Sequence, residues 1–280
     1  MISKEKAISN VLNLNTNSAI KIESFFTLMN YADEESLNAL YFSLQNDPCE
    51  LVRHEAAFAL GECIADKTRK ILKDVFEKDS STVVKHECLM SLGTIGTKED
   101  LEFIKKQIIN PLFEISCSAK IAIDRINQNE DFEHNVKLNT PKYIVKLFDY
   151  KNSSQNDRIQ ILFQLMNIAD EKSIEAIGKC LKEDICRIVR HEAAFVLGEI
   201  ANQKAVEYLI DICKTEKTPI VIHEILFALG TTGNKKTIEF IEKYTHNKNY
   251  VISQSAKIAL DRINLLKKPY KGPEHFKYLN

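Results

Sequence analysis

Glycine, proline and tryptophan are scarce in this chain, with 8 Gly, 6 Pro and no Trp among 280 residues. Folds built from strands and tight turns use more glycine and proline than this, so the composition favours helices. No stretch approaches the roughly 18 consecutive apolar residues that a membrane-spanning helix needs. The first residues carry charges of both signs and no apolar run follows them. We therefore expect neither a signal peptide nor insertion into a membrane.

An excess of charge of one sign is also missing. The 38 Lys and Arg residues nearly balance the 39 Asp and Glu residues, which gives a formal net charge of -1. This balance provides no bulk basic character for binding nucleic acid. The 44% of apolar residues excludes a disordered chain. The 7 cysteines are odd in number and form no Cys-x-x-Cys pair, so we predict reduced thiols and a cytoplasmic location.

The chain contains much of its own sequence twice. Residues 30–127 align without a gap on residues 167–264, with 47 identities in 98 positions. The duplication predicts an N-terminal half over residues 1–127 and a C-terminal half over residues 141–280. Residues 128–140 between them are polar, and we interpret them as a solvated linker.

A shorter period of about 32 residues lies inside each half. The segment Val-Arg-His-Glu-Ala-Ala around His54 recurs as Val-Lys-His-Glu-Cys at His86 and, degraded, as Ser-Cys-Ser-Ala at Cys117. Small residues follow the first His-Glu pair, and an amphipathic run follows from Ile71 to Phe76. Each unit therefore predicts two short helices. Four units per half give an all-α, HEAT-like helical-repeat solenoid of eight two-helix repeats.

Three residues mark predicted helix ends. Gly93 and Gly96 lie near the end of one predicted helix, where glycine favours a left-handed C-terminal conformation. Pro219 lies at a repeat junction. Proline is favoured at the first position of a helix because its missing N–H has no helical partner there.

Four His-Glu dipeptides occupy the inner two repeats of each half. They are His54-Glu55, His86-Glu87, His191-Glu192 and His223-Glu224. The outer repeats keep the helical pattern but carry Ile22-Glu23, Cys117-Ser118, Ile159-Gln160 and Gln254-Ser255 at the same positions. The repeat fold therefore does not itself require His-Glu. This pattern favours a functional site over the alternative of a solvated or ion-paired stripe on the helices.

The spacing of these dipeptides suits a metal site. Stacked helices lie about 8–10 Å apart, so two imidazoles from adjacent repeats can converge on one ion. A neighbouring carboxylate completes a set of two histidines and one carboxylate, which is typical of non-haem Fe(II) sites that use oxygen. Catalytic zinc stays an alternative because it binds the same ligands. If the two halves close on each other, two such sets form a dinuclear centre.

A family resemblance rests on these same residues. The Val-Arg-His-Glu-Ala-Ala-x-x-Leu-Gly unit resembles HEAT-type repeats, and four His-Glu dipeptides in a duplicated array resemble deoxyhypusine hydroxylase over roughly residues 16–265. The resemblance implies a monooxygenase that uses two Fe2+ ions and O2 to convert deoxyhypusine to hypusine. It implies one protein partner, the deoxyhypusine form of translation factor 5A. We expect a monomer that binds neither nucleic acid nor membrane.

The resemblance also implies the roles of the site residues. Each half would hold one iron by two histidines and the glutamate of its second dipeptide, namely His54, His86 and Glu87, and His191, His223 and Glu224. The glutamates of the first dipeptides, Glu55 and Glu192, would be the catalytic residues that bind the amines of the polycationic substrate.

Some residues depart from the family pattern and leave alternatives open. His223-Glu224 is followed by the bulky residues Ile225, Leu226 and Phe227, which could select another amine as substrate. A non-catalytic HEAT scaffold that binds a partner in its groove is one alternative, and it would hold no metal. A protein similar to the bilin lyases, which acts on a tetrapyrrole, is the other. Its activity would not depend on the His-Glu pairs.

Overall fold

The computed structural model describes residues 2–128, 140–232 and 235–266. The helices of the N-terminal half are α1 (Lys4–Leu12), α2 (Ser18–Tyr31), α3 (Glu34–Asn46), α4 (Glu50–Gly61), α5 (Asp66–Lys78), α6 (Thr82–Ile95), α7 (Leu101–Lys105) and α8 (Phe113–Gln128). Those of the C-terminal half are α9 (Thr140–Leu147), α10 (Gln155–Ile168), α11 (Glu171–Glu183), α12 (Arg187–Ile200), α13 (Gln203–Cys213), α14 (Pro219–Thr232), α15 (Lys235–Glu242) and α16 (Tyr250–Leu266). No strand occurs in these ranges, and none of their helices is long and apolar enough to cross a bilayer.

Consecutive helices pair into two-helix repeats, four in each half, as the 32-residue period predicts. Within each half the even-numbered helices pack on one another in chain order, and the odd-numbered helices form a second layer against them. The described residues divide into two compact units, residues 2–128 and residues 140–266. The predicted linker over residues 128–140 lies, apart from its two end residues, outside the described residues. The all-α repeat solenoid predicted from the sequence is confirmed.

Burial follows the position of each helix in this stack. The predicted amphipathic run forms the buried face of α5, with Ile71, Leu72, Val75 and Phe76 turned away from solvent. The middle helices α6 and α14 are buried on nearly all sides, because helices of the same layer flank them and the second layer covers them. Pro219 is the first residue of α14, as predicted. The His-Glu pairs therefore lie on helices that are held from several directions.

Small residues let the helices that carry His-Glu approach very closely. A Cβ atom added to Gly61 on α4 would lie 2.5 Å from the Oγ atom of Ser91 on α6. A Cβ atom added to Gly93 on α6 would lie 2.7 Å from the Cα atom of Ala122 on α8. Such separations are below van der Waals contact, so a side chain at either position would collide with the neighbouring helix. The absence of a side chain at these glycines therefore sets the close spacing between neighbouring repeats.

The prediction that Gly93 and Gly96 adopt a left-handed conformation is wrong. Gly93 lies inside α6, and Gly96 follows that helix with a φ of -74°. The left-handed residues among those described are Ala32, Ala169 and Ala201, with φ of 48°, 50° and 49°. Each donates its N–H to the carbonyl four residues earlier, which closes the helix end. Gly93 instead serves the close packing against Ala122.

A buried ion pair clamps the start of the first His-Glu helix in each half. In the N-terminal half Lys21 donates to Asp47, and the other carboxylate oxygen accepts the N–H of Cys49 directly before α4. In the C-terminal half Arg158 donates to Asp184, which accepts the N–H of Cys186 before α12. The aspartate thus joins the preceding repeat to the N-terminus of the helix that carries His-Glu.

Candidate metal centre

Stacking of adjacent helices brings the predicted residues together within each half. His54-Glu55 lies on α4 and His86-Glu87 on the neighbouring α6, while His191-Glu192 lies on α12 and His223-Glu224 on α14. Helices α4 and α6 pack directly on each other, as do α12 and α14. Each half therefore places two imidazoles and two carboxylates at one contact between repeats.

In the N-terminal half the second glutamate lies between the two imidazoles. The Oε2 atom of Glu87 is 3.5 Å from Nε2 of His54 and 3.8 Å from Nε2 of His86. The two ring centroids are 6.2 Å apart. One ligand atom from each of these three residues lies within 4.8 Å of the others, and all three residues are buried. This geometry allows two nitrogens and one oxygen to reach the same ion.

The C-terminal half repeats the contact of the first histidine with the second glutamate and the spacing of the two rings. Nε2 of His191 is 3.3 Å from Oε2 of Glu224, and the rings of His191 and His223 have centroids 6.3 Å apart. Their ligand nitrogens lie within 4.8 Å of each other. The ring of Phe227 packs edge-on against His223 with a centroid separation of 4.5 Å. Phe227, one of the bulky residues after this dipeptide, therefore packs against the second histidine.

The first histidine of each half is held at its other nitrogen by its own neighbour. Nδ1 of His54 lies 3.1 Å from Oε1 of Glu55, and Nδ1 of His191 lies 3.1 Å from Oε1 of Glu192. A carboxylate can only accept, so Nδ1 carries the hydrogen and Nε2 faces the second glutamate. This is the carboxylate–histidine arrangement that commonly orients a metal-binding imidazole.

The second histidine of each half is held by a serine that the sequence reasoning missed. Nδ1 of His86 lies 2.7 Å from Oγ of Ser118, and Nδ1 of His223 lies 2.8 Å from Oγ of Ser255. These serines occupy the glutamate position of the outer repeat, one repeat after the histidine that they contact. The occurrence of serine at this position in both halves was the sequence signal that could have indicated its role.

Electrostatics at His191 show how strongly this position favours positive charge. Burial favours the neutral ring and is the largest single influence on it. The hydrogen bonds with Glu192 and Glu224 together outweigh burial and raise the pKa of His191 to about 10. A cation coordinated to Nε2 would experience the same two carboxylates. The pair of glutamates therefore provides the field that a bound metal ion needs.

The residues present fit a divalent transition metal. Each half offers imidazole nitrogens with Nδ1 hydrogen-bonded, a carboxylate oxygen beside Nε2, and a buried setting, which are the donors that iron and zinc accept. Two nitrogens and one oxygen leave coordination positions open. Open positions distinguish a catalytic site from a structural one.

Comparison with known proteins gives the family. A family model described as HEAT repeats matches residues 37–111 and 144–229, more than half of the chain. Deoxyhypusine hydroxylase of Drosophila pseudoobscura pseudoobscura is 30% identical over 221 residues, which cover 70% of this chain and 70% of that protein. The chain is a HEAT-repeat protein of the deoxyhypusine hydroxylase family.

Further relatives agree with this membership. Deoxyhypusine hydroxylase of Drosophila melanogaster is 30% identical over 219 residues, again 70% of both chains. The solved structure of human deoxyhypusine hydroxylase in complex with glycerol matches with a TM-score of 0.82 and 22% identity, covering 94% of this chain and 96% of that one, which shows a shared fold. The family is one of metalloenzymes, and the chain has His/Glu groups that can hold metal. The hydroxylase prediction is confirmed, against the scaffold and bilin-lyase alternatives.

Proposed function

We propose that this enzyme uses two irons and O2 to hydroxylate the deoxyhypusine side chain of translation factor 5A. The observation that carries the proposal is the buried set of His54, His86 and Glu87, whose ligand atoms lie within 4.8 Å of one another. The corresponding contacts recur 137 residues later in the C-terminal half. The relatives supply the substrate, since they are named for deoxyhypusine.

Each half is assigned one iron. The ligands are His54, His86 and Glu87 for one ion, and His191, His223 and Glu224 for the other. Two histidines and a carboxylate with open positions are typical of Fe(II) sites that react with oxygen. When bound, iron supplies the activation of O2. One oxygen atom enters a C–H bond of the substrate, the other leaves as water, and an external reductant provides two electrons together with two protons.

Glu55 and Glu192 are assigned to the substrate. Their side chains are 12% and 13% exposed, whereas those of Glu87 and Glu224 are 7% and 8% exposed. Deoxyhypusine is a lysine side chain extended by an aminobutyl group, so it carries amines that bind carboxylates by charge-assisted hydrogen bonds. The more accessible glutamate of each half suits this role, and its contact with the neighbouring imidazole fixes where its charge lies.

The cellular location is inferred from the cysteines, and the partner protein is inferred from the substrate. All seven cysteines are free and six of them are buried, which supports a cytoplasmic enzyme. We assign it one macromolecular partner, the protein that carries deoxyhypusine, and we propose that it acts as a monomer.

Metal analysis combined with a turnover assay tests the proposal. Purified with iron supplied, the protein should hold about two irons per chain and show a visible charge-transfer band. Factor 5A that carries deoxyhypusine should gain the mass of one oxygen atom in the presence of O2 and a reductant. A folded protein that binds no metal, or one that turns over equally with zinc as its only metal, would overturn the assignment to iron.

A further inference from the structure

We propose that Ser118 and Ser255 are positioning residues that hold the second histidine of each half in the tautomer that binds metal. The inference rests on the proposed metal centre, and it concerns the side of the imidazole that faces away from that centre. Nδ1 of His86 lies 2.7 Å from Oγ of Ser118, and Nδ1 of His223 lies 2.8 Å from Oγ of Ser255. The same contact thus occurs in both halves.

The direction of the hydrogen bond follows from the other contact of each serine. Oγ of Ser118 lies 2.7 Å from the carbonyl oxygen of Glu114, and Oγ of Ser255 lies 2.6 Å from that of Val251. A carbonyl oxygen can only accept, so the single hydroxyl hydrogen is donated to it. The serine oxygen is then an acceptor for the imidazole, which must carry its hydrogen on Nδ1.

This tautomer matters because the other nitrogen has a competing partner. Nε2 of His86 lies 3.8 Å from Oε2 of Glu87. An imidazole with its hydrogen on Nε2 would point that hydrogen toward the carboxylate and would have no lone pair there for a metal. The serine stabilises the opposite form, in which the lone pair of Nε2 faces the carboxylate and the space where an ion would bind.

The serines also explain an asymmetry between the two histidines of each half. The first histidine hydrogen-bonds to a carboxylate, Glu55 or Glu192, whereas the second hydrogen-bonds to a hydroxyl. A carboxylate partner increases the basicity of a ligating imidazole more than a hydroxyl does. A serine at this position therefore fixes the orientation of the ring without adding a third negative charge to the half.

The test combines alanine and threonine variants with two readouts. Ser118→Ala removes the acceptor, while Ser118→Thr keeps an oxygen that can bond the same carbonyl. Ser24→Ala is the matched control, because Ser24 is buried and its Oγ donates to the carbonyl of Ile20 at 2.7 Å, but its side chain accepts from Asn10 instead of a histidine. Circular dichroism of each variant confirms that the repeats remain folded.

The first readout is the tautomer itself, from ring nitrogen–proton correlation spectra of the metal-free protein at a pH at which the ring is neutral. In the wild type, His86 and His223 should carry their hydrogen on Nδ1. Ser118→Ala should shift His86 alone toward the Nε2 form, Ser255→Ala should do so for His223, and Ser118→Thr should restore the wild-type spectrum. An unchanged tautomer in both alanine variants would overturn the inference.

The second readout is iron affinity, which should fall roughly ten- to a hundredfold for one ion in each alanine variant and stay unchanged in Ser24→Ala. Wild-type affinity in both alanine variants would also overturn the inference. A wild type that binds no metal would instead overturn the proposed function. In that case the tautomer spectra still decide whether the serines set the imidazoles.

Discussion

Contacts at the paired histidines can be compared directly, because the two halves are copies of each other. The distance from the first histidine to the second glutamate is 3.5 Å in one half and 3.3 Å in the other. The ring centroids are 6.2 Å and 6.3 Å apart, and the serine contacts measure 2.7 Å and 2.8 Å. These agreements persist although about half of the aligned residues differ.

One ion network of the N-terminal half has no counterpart in the C-terminal half. In the N-terminal half Asp100 accepts hydrogen bonds from Arg69 and Lys73. The equivalent positions of the C-terminal half are Thr237, Val206 and Ile210, so an ion network there has been replaced by a hydroxyl and two aliphatic side chains. The comparison teaches that the same ligand geometry can be supported by different packing, provided that the contacts with the imidazoles are kept.

Loss of a ligand should have the largest effect, and the effect should be equal in the two halves. His86→Ala and His223→Ala each remove one imidazole, so each should release about one iron per chain and abolish turnover. Metal content by elemental analysis and product mass are the measurements. Cys117→Ala and Gln254→Ala change the same helical position in the outer repeats and should leave the iron in place. Iron loss from those control variants, or from only one of the histidine variants, would break the equivalence.

Removal of one of the glutamate carboxylates that are proposed to bind the substrate should have the next largest effect. Glu55→Gln and Glu192→Gln keep an acceptor for the imidazole but remove the charge, so iron should remain bound. KM should rise, but by less than the roughly ten- to a hundredfold expected for the alanine variants, because Gln keeps an acceptor and the whole charge-assisted hydrogen bond contributes about 1.5–3 kcal/mol. Glu87→Gln should instead deplete the iron. If Glu55→Gln empties the site while Glu87→Gln leaves it full, the two glutamates have been assigned in the wrong order.

The smallest effect concerns the ion network of Asp100 and should appear in the N-terminal half only. Burial acts to raise the pKa of Asp100, but the bonds from Lys73, Thr97 and Arg69 outweigh it and hold the pKa below its usual 3.8. A carboxyl whose pKa is lowered on folding stabilises the native state above its unfolded pKa and loses that contribution as the pH falls through the folded value. Asp100→Asn should therefore lower stability by about 1–2 kcal/mol at pH 7.

The difference between wild type and Asp100→Asn should narrow as the pH falls from about 5 toward 3. Denaturant unfolding at several pH values measures it. Thr237→Val is the control at the equivalent position of the C-terminal half, and its effect should not vary with pH. A constant difference between wild type and Asp100→Asn across this range would show that the carboxylate does not stabilise that half.

Much of the fold and of the candidate ligand set could be predicted from the sequence, because both repeat along it. The 32-residue period predicted the eight helix pairs, and the confinement of His-Glu to the inner repeats predicted which helices would carry the site. The amphipathic run from Ile71 to Phe76 predicted the buried face of α5. Periodicity indicates which residues share a face of a helix. The helix pairs, the helices that carry His-Glu and the buried face of α5 could be predicted because they depend only on that information.

The features that escaped prediction depend on contacts between repeats. Ser118 is unremarkable within its own helix, and its role follows only from the position of His86 on the neighbouring helix. Gly93 was interpreted as a helix end, but it allows close approach to Ala122. Ala32 adopts a left-handed conformation that its residue type disfavours, because the hydrogen bond that closes α2 outweighs the local preference.

The close contacts of Gly61 and Gly93 have a consequence for how the array can change length. A helical-repeat array can in general accept an extra whole unit, because each unit contacts only its neighbours. Here the pair of inner repeats forms a single indivisible module, since an extra unit between α4 and α6 would separate His54 from Glu87 by another helix diameter. The last unit of each half is restricted in the same way, because an extra unit between α6 and α8 would separate Ser118 from His86. Variation in repeat number should therefore be confined to the ends of each half, and the two inner units should be inherited together with the unit that carries the serine.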